Sequence, residues 1–222
     1  MTDAFLQVLL DEPAFYVLLS NSAVIAAGTA LGQALVSPPA AWVLARASFR
    51  GRRLIIALYG LLLVLPFQAL LLPNYLALRA LGIDNTLWAV VAPGIFSAFP
   101  LLVMVVAFRG VPQNLLDSAR LDGADEGTVF LRVGLPLASP GVFAGLLLGF
   151  FESWNAVEQP AAFLKDPALW PIALFAPSSA PEAAALMGAA AALAAVPGLL
   201  LFVAGLRFLE EDALAAAPRR HP

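Results

Sequence analysis

Residues 115–140 read LLDSARLDGADEGTVFLRVGLPLASP, the one charged, glycine-interrupted island between two long apolar runs. Pro112 suits a first helical turn, where its missing N–H costs nothing, and Leu115, Leu116 and Ala119 then fall on one face at i, i+1 and i+4. Asp117, Arg120 and Asp122 fan out beside that face. Gly123 interrupts the pattern after about three turns, and a glycine just past a short helix lets the chain bend away through a left-handed conformation. The spacing predicts a short amphipathic helix over about 112–124.

Such a helix between two membrane runs either lies on the bilayer or fits a groove on a soluble partner. A surface-lying helix is rich in Lys and Arg with bulky apolar residues opposite, whereas this one carries acids and the small Ser118, Ala119 and Ala124. Small residues permit close approach of another protein's backbone. A docking helix is the stronger expectation, and a solvated loop whose Asp122-Gly123 pair makes a turn is the weaker one.

Outward from the island, the composition is that of a membrane protein. Of 222 residues, 61% are hydrophobic and 12% charged, against roughly 25% charged in a soluble domain. Cysteine is absent and His221 is the one histidine, which excludes a disulfide framework and a Cys/His metal cluster. Lys165 is the one lysine and sits in Leu-Lys-Asp, so the chain holds no phosphate-binding loop of the GxxxxGK[ST] type. If ATP drives any process here, another chain binds it.

The uncharged runs predict an all-α integral membrane protein, one transmembrane domain over 1–222, with five spans at about 15–45, 54–72, 86–108, 133–151 and 183–206. The docking helix lies between the third and fourth spans, and residues 152–182 form an external loop with a short re-entrant or surface piece around 163–175. Met1 to Pro13 reads as a short tail without the basic region of a signal peptide, and Ser37-Pro38-Pro39 as a kink or end of the first span. With the N-terminus outside, Arg46, Arg50, Arg52, Arg53, Arg109, Arg120, Arg132, Arg207, Arg219 and Arg220 are cytoplasmic and only Arg79 and Lys165 external. That split satisfies the positive-inside rule and places the C-terminus and the island in the cytoplasm. Arg46 to Arg53 read as a topology determinant that also meets anionic headgroups.

Asp117-Ser118-Ala119-Arg120-Leu121-Asp122-Gly123-Ala124, followed by Phe130 and Leu135-Pro136-Leu137, resembles the EAA loop of ABC importer permeases of the MalG-like carbohydrate branch. The chain departs from that pattern by Asp117 for Glu and Ser118 for Ala. Asn21-Ser22, Ala40 to Arg46 with Phe49 and Gly51-Arg52, Leu81 to Thr86, and Trp154-Asn155 are similar to further signposts of that family, in its order. Family members begin with one more span ahead of Asn-Ser, so the start is expected to be either a five-span core or a shortened reading frame.

The resemblance implies a MalG/MetI-like core in a bacterial inner membrane, importing a sugar or small oligosaccharide by alternating access. The implied partners are a dimer of ATP-binding subunits that hold ATP and Mg, a second permease chain, and an external solute-binding protein, with no nucleic acid, no cofactor and no catalysis in this chain. The implied ATPase contacts are Leu115, Leu116, Asp117, Ser118, Ala119, Asp122, Gly123 and Ala124. Asp117 would bond a basic residue of the ATPase. Sugars are held by aromatic faces and by side chains that donate and accept hydrogen bonds, so Trp154, Asn155 and Gln159, with Gln68 and Asn74, are candidates for the solute path. Gly28 and Gly32, and Gly141, Gly145 and Gly149, repeat at every fourth residue and are expected to pack helices, with a sliding interface to the second permease as the sharper reading. The rivals are a permease for a polyamine or glycerophosphate, an ATP-independent secondary transporter, and an assembly factor that keeps the docking helix. An ion-driven transporter would be expected to carry ionisable residues within its spans.

Overall fold

A computed structural model describes residues 2–176 and 183–216, and these are helical with short connections. In chain order the helices are α1 (Thr2–Leu10), α2 (Pro13–Arg46), α3 (Arg52–Val64), α4 (Phe67–Ala80), α5 (Trp88–Ile95), α6 (Ala98–Gly110), α7 (Gln113–Leu121), α8 (Glu126–Val129), α9 (Leu135–Trp154), α10 (Glu158–Phe163) and α11 (Ala183–Ala216). A π-helical stretch, Phe130–Gly134, joins α8 to α9. Arg219, Arg220 and His221 lie outside the described residues.

Four stretches are long and apolar enough to cross a membrane: Pro13–Arg46, Trp88–Gly110, Glu126–Trp154 and Ala184–Leu206. The α3–α4 pair passes the same test only together, bent by 109°. A straight span over 54–72 is therefore not what the chain forms. Leu65 adopts φ −68°, ψ 131° ahead of Pro66, because a residue preceding proline is forced out of the helical region.

The Ser37-Pro38-Pro39 sequence does not end α2, which runs through both prolines. Ser37, Pro38, Ala41 and Trp42 are buried there, and packing by neighbouring helices holds a proline-bearing span in shape. The third span does break, at Phe96 and Ser97, and the Gly94 carbonyl there accepts from both the Ser97 N–H at 3.1 Å and Gln33 Nε2 of α2 at 2.8 Å. The N-terminal stretch read as a tail is a helix, α1, which packs on α11 with Val8 fully buried.

α2, α6 and α9 form the central three-helix packing. Glycines set its spacing: a Cβ at Gly141 would collide with Ala107, one at Gly149 with Gln33, and one at Gly32 with Ile95. At Gly145 a Cβ would crowd Met104 at 3.0 Å, and at Gly28 it would touch Val91 at 3.4 Å. Both glycine rows thus face helices of this same chain. Outward-facing Leu31, Leu35, Leu54, Val64 and Leu200 stay exposed, as bilayer-facing side chains do.

Candidate functional site

α7 stands on an aromatic floor. Trp42 of α2, Phe108 of α6 and Phe130 of the π-helical stretch have ring centroids 5.5 to 6.0 Å apart. Gly134 is required beside them, since a Cβ there would run into the Trp42 indole. Leu116 and Val129, both fully buried, belong to the same cluster, and Ala119 and Ala124 pack against it.

This overturns part of the expected docking face. Leu116 is 0% exposed and already covered by its own chain, so it has no surface left for a partner. Asn114, Ser118 and Leu121, at i, i+4 and i+7, mark the outward side, with Leu121 89% and Leu115 43% exposed. Asp117 and Asp122 are exposed too. Leu121 lies off the 115, 116 and 119 stripe that the apolar spacing singles out, so the sequence pattern passes over it. Gly123 has φ +87° and open space around it, the left-handed bend expected at a helix end.

Polar groups tie α7 to three spans. Arg46, the last residue of α2, reaches across the end of α6: its Nε donates to the Phe108 carbonyl at 3.0 Å, and its Nη2 donates to the carbonyls of Phe108 and Val111. Its Nη1 donates to Gln113 Oε1 at 3.0 Å. Gln113 Nε2 donates to Asp117 Oδ1 at 3.0 Å, and Arg120 Nη1 donates to the same oxygen at 2.9 Å. Arg120 in turn forks onto Glu126, at 2.7 and 3.2 Å. Those bonds to Glu126, and then to Asp117, hold the Arg120 guanidinium above its ordinary pKa. Asp125 caps α8 by accepting from the Thr128 N–H at 3.2 Å, and hydrogen bonding by the Thr128 side chain, then by that N–H, holds its carboxyl below the usual carboxylate range.

Two sequence expectations change here. One Asp117 oxygen, expected to meet an ATPase, already serves two donors of its own helix. The Arg46–Arg53 cluster is more than a topology signal, because Arg52 donates to the Leu44, Ala45 and Ala47 carbonyls and so caps α2.

The candidate path residues do not form one site. Gln68 donates to Glu158 Oε1 at 2.8 Å, and Gln159 donates to the Val90 carbonyl at 3.4 Å. Asn74 is half-buried on α4. Trp154 and Asn155 line a separate cleft of about 540 Å3 between α9 and α11, walled by Phe151, Ile172, Phe175, Met187 and Phe202. The Trp154 indole is buried and donates to the Ala194 carbonyl at 3.2 Å, so it is not a free sugar donor. Asn155 Nδ2 is engaged by the Phe151 carbonyl at 2.9 Å. A polar pair not anticipated from sequence is Ser97, whose hydroxyl donates to Glu152 Oε2 at 2.9 Å beside the break in the third span. Among the described residues no group of His, Asp and Glu is arranged to hold a metal ion.

Residues 37–213 match the family of binding-protein-dependent transport system inner membrane components. The chain belongs to that family. It is 31% identical, over 167 residues, to the sulfoquinovosyl glycerol transport system permease protein SmoH of Agrobacterium fabrum, covering 74% of this chain and 58% of SmoH. It is 29% identical, over 164 residues, to the arabinooligosaccharides transport system permease protein AraQ of Halalkalibacterium halodurans, covering 74% of this chain and 59% of AraQ. The trehalose transport system permease protein SugB of Mycobacterium tuberculosis is 34% identical over 139 residues, 62% of this chain and 51% of SugB. The chain thus spans between half and three-fifths of the length of these relatives. In fold it is similar to a chain of a bacterial ABC transporter involved in import of the acidic polysaccharide alginate, with a TM-score of 0.77 at 19% identity, covering 92% of this chain and 78% of that one. A chain of the MetNI methionine transporter gives a TM-score of 0.69 at 18% identity, covering 90% and 98%.

Proposed function

We propose that this chain is a permease subunit of an ATP-driven importer that takes up a sugar or small oligosaccharide delivered by an external binding protein. The observation that carries the reading is α7, a helix rooted by Leu116 and presenting Leu121 to whatever lies beyond the bundle. We read Leu121, exposed with Leu115 on a short helix outside the apolar spans, as the seat for another protein. The relatives' named solutes, sulfoquinovosyl glycerol, arabinooligosaccharides and trehalose, favour a carbohydrate over a polyamine or a glycerophosphate.

In this reading α7 is a coupling helix on the cytoplasmic side, with the N-terminus of the chain outside and its C-terminus inside. Separate ATPase subunits hold ATP and Mg and perform the hydrolysis. Their approach pushes α7, and the spans rock between inward and outward openings. A second permease chain completes the pathway. The split path residues agree with a pathway only partly built by this chain.

A photo-crosslinker at Leu121, in the chain co-expressed with neighbouring transport genes, is expected to capture a nucleotide-hydrolysing subunit. Reconstitution with the binding protein is expected to give sugar-stimulated ATP hydrolysis. Flux without ATP, or labelling of Leu121 from the outer side, would overturn the reading.

A further inference from the structure

We infer that Arg46, acting through Gln113 and Asp117, is a positioning residue that fixes the direction in which α7 leaves the bundle. A load on α7 then reaches the first, third and fourth spans together. The inference rests on the importer reading for what loads α7, but not for the geometry itself.

The bonds form one unbroken chain. It starts at the end of α2 with Arg46, crosses the terminal carbonyls of α6, passes through Gln113 and Asp117 on α7, and ends through Arg120 on Glu126 at the start of the fourth span. The connection between α6 and α7 is Val111 and Pro112 alone, so Arg46 grips both sides of it. The last carbonyls of a helix have no partner within the helix, and at the end of α6 a guanidinium from α2 provides one. Arginine suits the task because its planar fork donates in several fixed directions, where a lysine ammonium acts as a single flexible point. The arrangement has a strong end and a yielding one. Arg46 works on part-buried carbonyls, while Asp117 and Glu126 are 56% and 67% exposed, and exposed ion pairs are individually weak. α2 and α6 are therefore clasped firmly to each other, while α7 is joined to them through the exposed Arg46–Gln113 bond and to the fourth span through Arg120–Glu126 and its packing against α8 and the π-helical stretch.

The chain has no cysteine, which allows spin labels at Leu31→Cys and Asn114→Cys in the complete reconstituted assembly. The parent is expected to give a narrow distance distribution. Arg46→Met, which keeps the stem and loses the fork, should broaden it, and Arg46→Lys should fall between. Gln113→Met leaves the cap on α6 intact and cuts only the link onward, so it carries the test if Arg46→Met does not fold. In both Met variants solute carried per ATP hydrolysed should fall about threefold or more, the scale on which networked residues modulate coupling. A purely structural role would lower uptake and hydrolysis in the same proportion. Unchanged distance widths in both Met variants, or a proportional loss of both activities, would overturn the inference. If no ATPase docks on the parent but the widths still respond, the importer reading fails and this one stands.

Discussion

The two ends of the bundle are held by different chemistry. At the end away from α7, residues 165–172 are fastened by neutral side chains bonded to their backbone. Asn21 Nδ2 donates to the Ala168 and Trp170 carbonyls at 2.8 and 3.0 Å, and the Ile172 N–H donates to the buried Ser22 hydroxyl at 2.8 Å. Asn85 Oδ1 accepts from the Lys165 and Asp166 N–H groups at 2.7 and 3.0 Å. At the α7 end the links beyond Arg46 run between side chains that are charged or amide and largely exposed. The buried Ser22 bond fixes one shape, since leaving it unmade is costly, and the less buried Asn21 and Asn85 bonds add to it. Exposed charged links hold neighbours together while letting them shift. One end is built to keep its form, and in the importer reading the other passes on a displacement.

Four experiments would break or sharpen that contrast. The largest expected effect is at Leu121, where burying a leucine contributes about 1.5 to 3 kcal/mol. Leu121→Ser should weaken ATPase docking about tenfold or more, measured by titrating the ATPase onto the reconstituted permease, with an unchanged melting temperature. Ser22→Ala should do the reverse, costing stability by about 1 to 3 kcal/mol through the unpaired Ile172 N–H. Thermal unfolding in detergent, and proteolysis between Leu164 and Trp170, would check it; equal loss of docking would erase the contrast. Gly123→Val places a branched side chain at φ +87° with nothing to clash against, a strain of about 1 to 2 kcal/mol. It should reduce uptake per ATP more than it reduces folded yield, measured in proteoliposomes. The smallest effect concerns Asp125. Its folded pKa is depressed by hydrogen bonding from Thr128, so its contribution is full above the ordinary carboxylate range and fades as pH falls through the depressed value. Hydrogen exchange at the Thr128 amide, compared between parent and Asp125→Asn, should differ at neutral pH and converge in acid.

Much of the helical framework was legible because apolar runs and their arginine flanks are local signals. The break at Pro66 was visible as a proline but not as a 109° turn, since a proline states which torsions are lost and not where the freed chain goes. The path residues were the least legible. Trp154 and Asn155 are adjacent to groups that could bind a sugar, yet the Trp154 indole N–H goes to Ala194, forty positions along the chain, and no local pattern announces that partner. Arg46 was readable as a charge at a span's edge. That it clasps carbonyls near residue 110 depended on α2 and α6 ending side by side.

From the order of residues alone came the membrane class, the amphipathic island and its glycine bend. These follow from composition, periodicity and backbone freedom, which need no neighbours. Folding in three dimensions decided which way the island faces. Periodicity names an apolar stripe but not what covers it, and only the meeting of Trp42, Phe108 and Phe130 beneath α7 assigns Leu116 to the interior and leaves Leu121 to the outside.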